Sequence, residues 1–295
     1  MKALVVGGSG FVGHRLVRHL LVDGHNVRVL DVKRGGLRRL VSSNFRFFLG
    51  SMADEEIVRR VMDGVDVVYH LALAGSVGSI KSPDAFDVNL RGTWNLLASA
   101  KSQQVRQFIF TSSTAVYGPC RYLPVDEEHP CHPEESRLDM YHLVKLTTEK
   151  MCRMFHLHAD VSVTVLRLTY VFCDESVYNV PWVNWIVEKV ENNETIEVVE
   201  GEGFASVHVD EVVDALMLAT LNEKAIGQVF NVVNPETFVT YHEIARHHVQ
   251  RLESKSQIDI KKPSGLVQST PTSSSKIQKL LGWKPWMSKD DAINP

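Results

Sequence analysis

The sequence lacks a CxxC pair, a long apolar run, a basic stripe and any strong excess of one charge, and each absence excludes a class of protein. Its four cysteines, Cys120, Cys131, Cys152 and Cys173, are widely spaced. A chain of 295 residues needs no disulfide staples, so reduced, partly buried thiols in a cytosolic protein are expected. The net charge is −3, with acids and bases interspersed. Neither nucleic acid nor an anionic membrane surface is an expected partner. Apolar stretches are too short to span a bilayer. The opening MKALVVGGSG is apolar for only a few positions before glycines and His14 interrupt it. It does not read as a signal peptide, and the chain is expected to begin directly with structure. HPCH (His129, Cys131, His132) offers metal-binding side chains in a Pro-rich loop, but no second ligand pair accompanies it. No metal site is expected.

What is present is an alternation of strands and helices. KALVV (2–6), NVRVLD (26–31), FRFFLG (45–50), VDVVYHLA (65–72), QFIFTSS (107–113) and VSVTVLRLT (161–169) read as strands. Helical spacing covers 11–22, about 84–103, and the run DMYHLVKLTTEK from 139 onward. Strands alternating with helices at this interval predict an α/β fold: a doubly wound parallel Rossmann sheet with a smaller C-terminal α/β substrate lobe. Beyond 170 the pattern loosens. PWVNWIVEKV (181–190) and DEVVDALMLATL (210–221) read as helices and QVFNVVN (228–234) as a strand. STPTSSSK (269–276) reads as a polar loop ending in a helix cap. The expected division is 1–169 for the dinucleotide domain, 170–205 for the first part of the lobe, 206–234 for a return to the large domain, and 235–295 for the rest of the lobe.

GGSGFVG places Gly7, Gly10 and Gly13 between a strand and a helix. A tight turn, close backbone approach to a pyrophosphate and helix–sheet packing each need a missing side chain. A second strand ending in the acid Asp31 completes the pattern within about 30 residues. Asp31 is suited to the ribose hydroxyls of NAD and opposes a 2′-phosphate. Lys33 and Arg34 could welcome that phosphate but read more simply as solvated loop charges.

In DMYHLVKLTTEK, Tyr141 and Lys145 are four residues apart and share a helix face. A free phenol, with a pKa of about 10, is a poor proton carrier at neutral pH. An ammonium at about 4 Å, in an effective dielectric of about 20, favours the phenolate by up to roughly 4 kcal/mol. That brings the phenol toward the range where a general acid/base works best. Many such pairs only pack. TSSTAVYG (111–118), at the end of the central strand, raises the case for chemistry, because Ser113 could hold a substrate oxygen beside Tyr141. No GxSxG elbow surrounds Ser113, so a serine nucleophile is disfavoured.

Taken with VVYHLALAG (67–75), VNLRGTWNLLASA (88–100), LRLT (166–169), VHVDEVVDA (207–215) and LLGWKPWMSKDDA (280–292), these motifs run in order through nearly the whole chain. The sequence resembles the extended short-chain dehydrogenase/reductase family, in particular its NAD-dependent sugar epimerase/dehydratase branch, UDP-glucose 4-epimerases included. The resemblance implies Ser113, Tyr141 and Lys145 as the catalytic set, with Lys145 also gripping the nicotinamide ribose. It implies NAD contacts at Phe11, Val12, Asp31, Leu71, Ala72, Asn89 and Thr169, and a homodimer paired through the helices at 84–103 and 140–158. Trp94, Leu97, Met151 and Phe155 are available for that interface or, equally, for the core.

The family pattern is broken in places. Its adenine-edge aspartate is replaced by Ser51, next to Met52. Thr114 and Ala115 stand where dehydratases carry an acid pair, which argues against dehydration. At tentative substrate positions, Tyr170 replaces an asparagine, Phe204 an arginine and Lys262 a late arginine. A diphosphate favours guanidinium forks, for which lysine is no equivalent. Three readings stay open: a sugar-nucleotide epimerase with Tyr141 as acid/base, a dehydrogenase or reductase of a less charged alcohol or ketone, and a non-catalytic dinucleotide-binding regulator.

Overall fold

A computed structural model describes residues 1–75, 83–135, 140–173, 183–263 and 271–289. The central sheet is built from β1 (Lys2–Val6), β2 (Asn26–Asp31), β3 (Phe45–Leu49), β4 (Val67–His70), β5 (Gln107–Ser113), β6 (Val163–Leu168) and β11 (Val229–Val232). Its seven strands are ordered β3-β2-β1-β4-β5-β6-β11, and every pair is parallel. Strands covered on both faces read as unbroken apolar runs, and β4 and β6 are buried along their whole length. The strand order reverses between β1 and β4, which opens a crevice at the carboxyl ends of the strands, where such sheets bind ligands.

Helices α1 (Phe11–Val22) and α6 (Val209–Ala219) cover one face; α2 (Glu55–Met62), α3 (Pro83–Ser102) and α4 (Met140–His158) cover the other. Leu16, Val17 and Leu20 form the buried stripe of α1, the spacing an amphipathic helix needs. Asp54 caps α2, accepting from the backbone N–H groups of Glu56 and Ile57 at 3.0 and 3.2 Å. Leu97 of α3 and Phe155 of α4 are buried in the core.

The smaller lobe has its own apolar cluster. It draws on β7 (Tyr170–Phe172), α5 (Asn184–Glu191), β8 (Ile196–Val199), β9 (Gly203–Phe204), β12 (Val239–Thr240) and α7 (Tyr241–Arg251). β13 (Ile258–Lys261) pairs with β8, and β10 (Ser206–His208) with β7. The segment 235–295, expected to complete the lobe, also reaches the large domain. Helix α8 (Ser275–Leu281) packs against β11, and Ile277, Leu281 and Trp283 belong to the large domain's core. Their apolar side chains cover the β11 side of the sheet, and the Trp283 indole donates to the Glu211 carbonyl at 2.9 Å. At the start of α8 the N-cap Ser274 makes no side-chain bond to the helix backbone, and the Ser273 hydroxyl accepts from the Ser275 N–H at 3.2 Å.

Candidate active site

The glycine loop is shaped by contacts that no side chain could share. Gly7 has φ +84°, and a Cβ there would lie 2.6 Å from the Ala72 nitrogen. A Cβ on Gly13 would lie 2.3 Å from the Gly7 carbonyl oxygen. Gly10 is the N-cap of α1 and leaves the helix without a side-chain cap, so the first N–H groups are available to an anion. The Asp31 carboxylate is fixed against this loop, accepting from the Ser9 N–H at 2.9 Å and the Lys33 N–H at 3.3 Å. A cavity of about 510 Å³ opens beside it, lined by Gly7, Gly10, Asp31, Lys33, Ser51, Met52, Leu71 and Ala72. Arg34 stacks on Phe47 at 5.5 Å instead of lining this cavity.

A second cavity of about 250 Å³ shares Gly7, Gly10 and Leu71 with the first. Gly13, Phe11, Val12, Ser113, Tyr141, Lys145 and Thr169 line it. Two adjoining hollows joined at a glycine loop suit the two halves of a dinucleotide, and the cradle a Cβ would fill at Gly7 and Gly13 fits its diphosphate. Ser113 caps the short turn Thr114–Tyr117, its Oγ accepting from the Ala115 N–H at 3.2 Å. The Thr169 hydroxyl donates to the Ala205 carbonyl at 2.8 Å. Lys145 is buried; its ammonium donates to the Thr111 carbonyl at 2.8 Å and lies 5.0 Å over the Phe110 ring and 5.9 Å over that of Tyr141. Burial pushes its pKa down to about 8, against the pull of Glu149.

The sequence model of the NAD dependent epimerase/dehydratase family matches residues 3–233. The chain belongs to this family. It is an NAD-dependent enzyme family of the extended short-chain dehydrogenase/reductase type. The chain is 32% identical over 171 residues to a UDP-glucose 4-epimerase of Lactobacillus helveticus, a match covering 57% of the chain and 51%, about half, of that protein's length. It is 28% identical to UDP-glucuronic acid decarboxylase 1 of Danio rerio, over 99% of the chain and 71% of the relative. Among solved structures, UDP-glucose 4-epimerase of Thermotoga maritima with UDP-glucose superposes with TM-score 0.79 at 27% identity, over 99% of this chain and 96% of that one.

Not every expected site residue reaches the cavities. Asn89 is buried and spends its amide on the loop after β4: Oδ1 accepts from the Ala74 N–H at 2.9 Å, and Nδ2 donates to the carbonyls of Ala74 and Ala85 at 2.9 and 2.7 Å. It shapes the loop that lines the dinucleotide cavity and is no lining residue itself. Phe204 is 2% exposed and sits in the lobe's apolar cluster, its ring 4.8 Å from that of Tyr170 and 5.9 Å from that of Tyr241. It lines neither of the two cavities. Lys262 is exposed just past β13, on the lobe's small sheet, and lines neither cavity. Tyr170 is 40% exposed, next to the cavity residues Thr169 and Val171.

Three further groups lie near the site. His70, at the end of β4, is buried, bonds to the Thr93 hydroxyl through Nε2 at 2.9 Å, and is pushed down to about 3 by burial and then by Lys145. Glu149 and Arg167 form a buried ion pair behind Lys145. Glu149 was legible at the next helical turn after Lys145; His70 carried no periodic signal beyond its place at a strand end. The HPCH residues have structural partners. His129 accepts from the Arg121 N–H at 2.8 Å, and His132 pairs with Glu134 at 3.1 Å. Among the described residues no group of metal ligands gathers, and no helix is long and apolar enough to cross a membrane.

Proposed function

We propose that the chain is a sugar-nucleotide epimerase in which Tyr141 moves the proton of a substrate hydroxyl and Lys145 supports it. The observation that carries this reading is the joint lining of one cavity by Ser113, Tyr141, Lys145 and Thr169, continuous with the glycine loop. Gly7, Gly10, Phe11, Val12 and Asp31 would hold NAD, which when bound supplies reversible hydride acceptance. Ser113 would hold the reacting oxygen beside the phenol, and the phenol would take or return its proton. UDP-glucose and UDP-galactose are the first substrates to test: interconversion with no net change at the nicotinamide absorbance band supports the proposal. Net turnover of cofactor with an uncharged ketone would instead favour a reductase. That second reading draws on the half-exposed Tyr170 beside the cavity and on the commitment of Arg167 to Glu149. Among the described residues, no lining residue of the catalytic cavity other than Lys145 is basic.

NAD should bind more tightly than NADP. Asp31 opposes a 2′-phosphate at the adenosine end, whereas Lys33 is the single base lining that cavity among the described residues. Asp31→Ala should narrow the preference and weaken both cofactors, because the Ser9 N–H loses its anchor. Calorimetry showing tighter NADP binding by the parent would overturn the assignment.

The protein should be a dimer. Trp94 of α3 is 50% exposed and packs edge-on against Phe155 at 5.3 Å, and Leu143 and Met154 of α4 are also exposed. Covering this face with a second copy removes large apolar surface from water. Light scattering should give the dimer mass at micromolar concentration and the monomer mass for Trp94→Glu. A monomeric parent would sink the idea.

A further inference from the structure

A row of polar side chains crosses the carboxyl ends of the central strands beneath α4. Ser112 of β5 lies in register with Arg167 of β6, and Arg167 with Asn231 of β11. Strand alternation puts them on the face that also carries Phe110, Val165 and Val229. Arg167 is buried, and its Nε and Nη2 donate to Glu149 Oε1 and Oε2 at 3.0 and 2.7 Å. The Tyr117 ring lies 4.7 Å from the guanidinium carbon, and the Tyr117 hydroxyl donates to Asn231 Oδ1 at 2.6 Å. The Glu149 carboxylate is therefore held from the sheet as well as from its own helix. Glu149 stands four residues after Lys145, on the same buried face of α4.

We propose that Glu149, clamped by Arg167, is a positioning residue for Lys145: a fixed buried negative charge, one helical turn away, that keeps the ammonium charged and directed at the cleft. This role rests on the acid–base reading of Tyr141 and Lys145. Lys145 makes no ion pair among the described residues; its one hydrogen bond goes to the Thr111 carbonyl. Its charge must be balanced through space or lost to burial. Among the described residues, the titratable and charged groups around it are Tyr141 and Glu149 on α4, His70 from β4, and Arg167 from β6 behind Glu149. His70 is held neutral by burial and supplies no negative charge. Cys131 and Cys152, which flank Glu149, are pushed above the ordinary thiol range by burial first and stay neutral. Glu149 is left as the group that raises Lys145 against desolvation.

The midpoint of Lys145 can be read by NMR on protein carrying ¹³C at lysine Cε, with Lys145→Met assigning the signal and neither cofactor nor substrate present. Glu149→Gln removes the negative charge and leaves Arg167 unopposed, so its midpoint should fall by about one unit or more, roughly tenfold in the ammonium-to-amine ratio. The double variant Glu149→Met, Arg167→Met removes both charges with similar volume, a change that buried pairs often tolerate. Its midpoint should lie between those of the parent and Glu149→Gln. A purely structural role predicts no such order. If Glu149→Gln fails to fold, the double variant alone decides: a midpoint at or above the parent's overturns the proposal, as does a Glu149→Gln midpoint not below the parent's. Loss of turnover with an unmoved midpoint also overturns it and leaves the Tyr141 reading intact. The predicted order in a protein without epimerase activity would uphold it while that reading falls.

Discussion

A Tyr141→Phe protein is expected to bind NAD as the parent does and to turn over its substrate about 10²–10⁴-fold more slowly. The substitution removes one oxygen and leaves the ring, so the wall of the catalytic cavity keeps its shape. Among the described residues, Tyr141 and Lys145 are the titratable side chains that line that cavity, and Ser113 lines it with them. Lys145→Met should behave differently. It deletes a buried ammonium tied to the Thr111 carbonyl, so both turnover and NAD affinity should fall. Initial rates and calorimetry on the two variants separate these outcomes. If Tyr141→Phe keeps its rate within about fivefold, another group carries the proton and the assignment fails.

The large domain was legible because its signals are local. The apolar runs of β1, β2 and β5 begin and end where the sequence pattern places them, and Gly7, Gly10, Gly13 and Asp31 announce the turn and its acid within one strand–helix–strand unit. What escaped depends on partners distant in sequence. Helix α8 carries only two buried apolar residues, Ile277 and Leu281, and nothing within it says that they pack against β11 and not the lobe. Asn89 lies in a motif shared with relatives, yet its amide is consumed by the backbone of Ala74 and Ala85. Glu211 is a further instance. It is fully buried on α6, and its carboxylate accepts from the Trp286 and Met287 N–H groups at 2.7 and 2.9 Å and from the Asn234 amide at 2.9 Å. The donors lie as far as 76 residues away in sequence, so the sequence shows an acid in an apolar helix and not the strap it anchors.

The largest stability effect is expected at Phe204, the position where the sequence invites an arginine. Seen only as a gap in a diphosphate clamp, it suggests that Phe204→Arg would strengthen binding of UDP. Packing reverses that expectation. The ring is 2% exposed, wedged between Tyr170 and Tyr241, and shares a cluster with Phe172, Ile186 and Val239. Removing a buried phenylalanine costs about 3–5 kcal/mol, and a guanidinium left there unpaired adds several more, of order 3–5 kcal/mol. Domains hold only about 5–15 kcal/mol in total. Phe204→Arg should therefore lower the melting temperature by roughly 10 °C or more, or abolish cooperative folding of the lobe. Phe204→Leu keeps the position apolar and should cost about 1–2 kcal/mol. Thermal melts of both variants, with UDP titrated into the NAD-saturated proteins, decide the matter. An arginine variant that melts with the parent and binds UDP more tightly would place this side chain at the cleft. That result would show that the clamp can be rebuilt there, and it would return Phe204 to the substrate site.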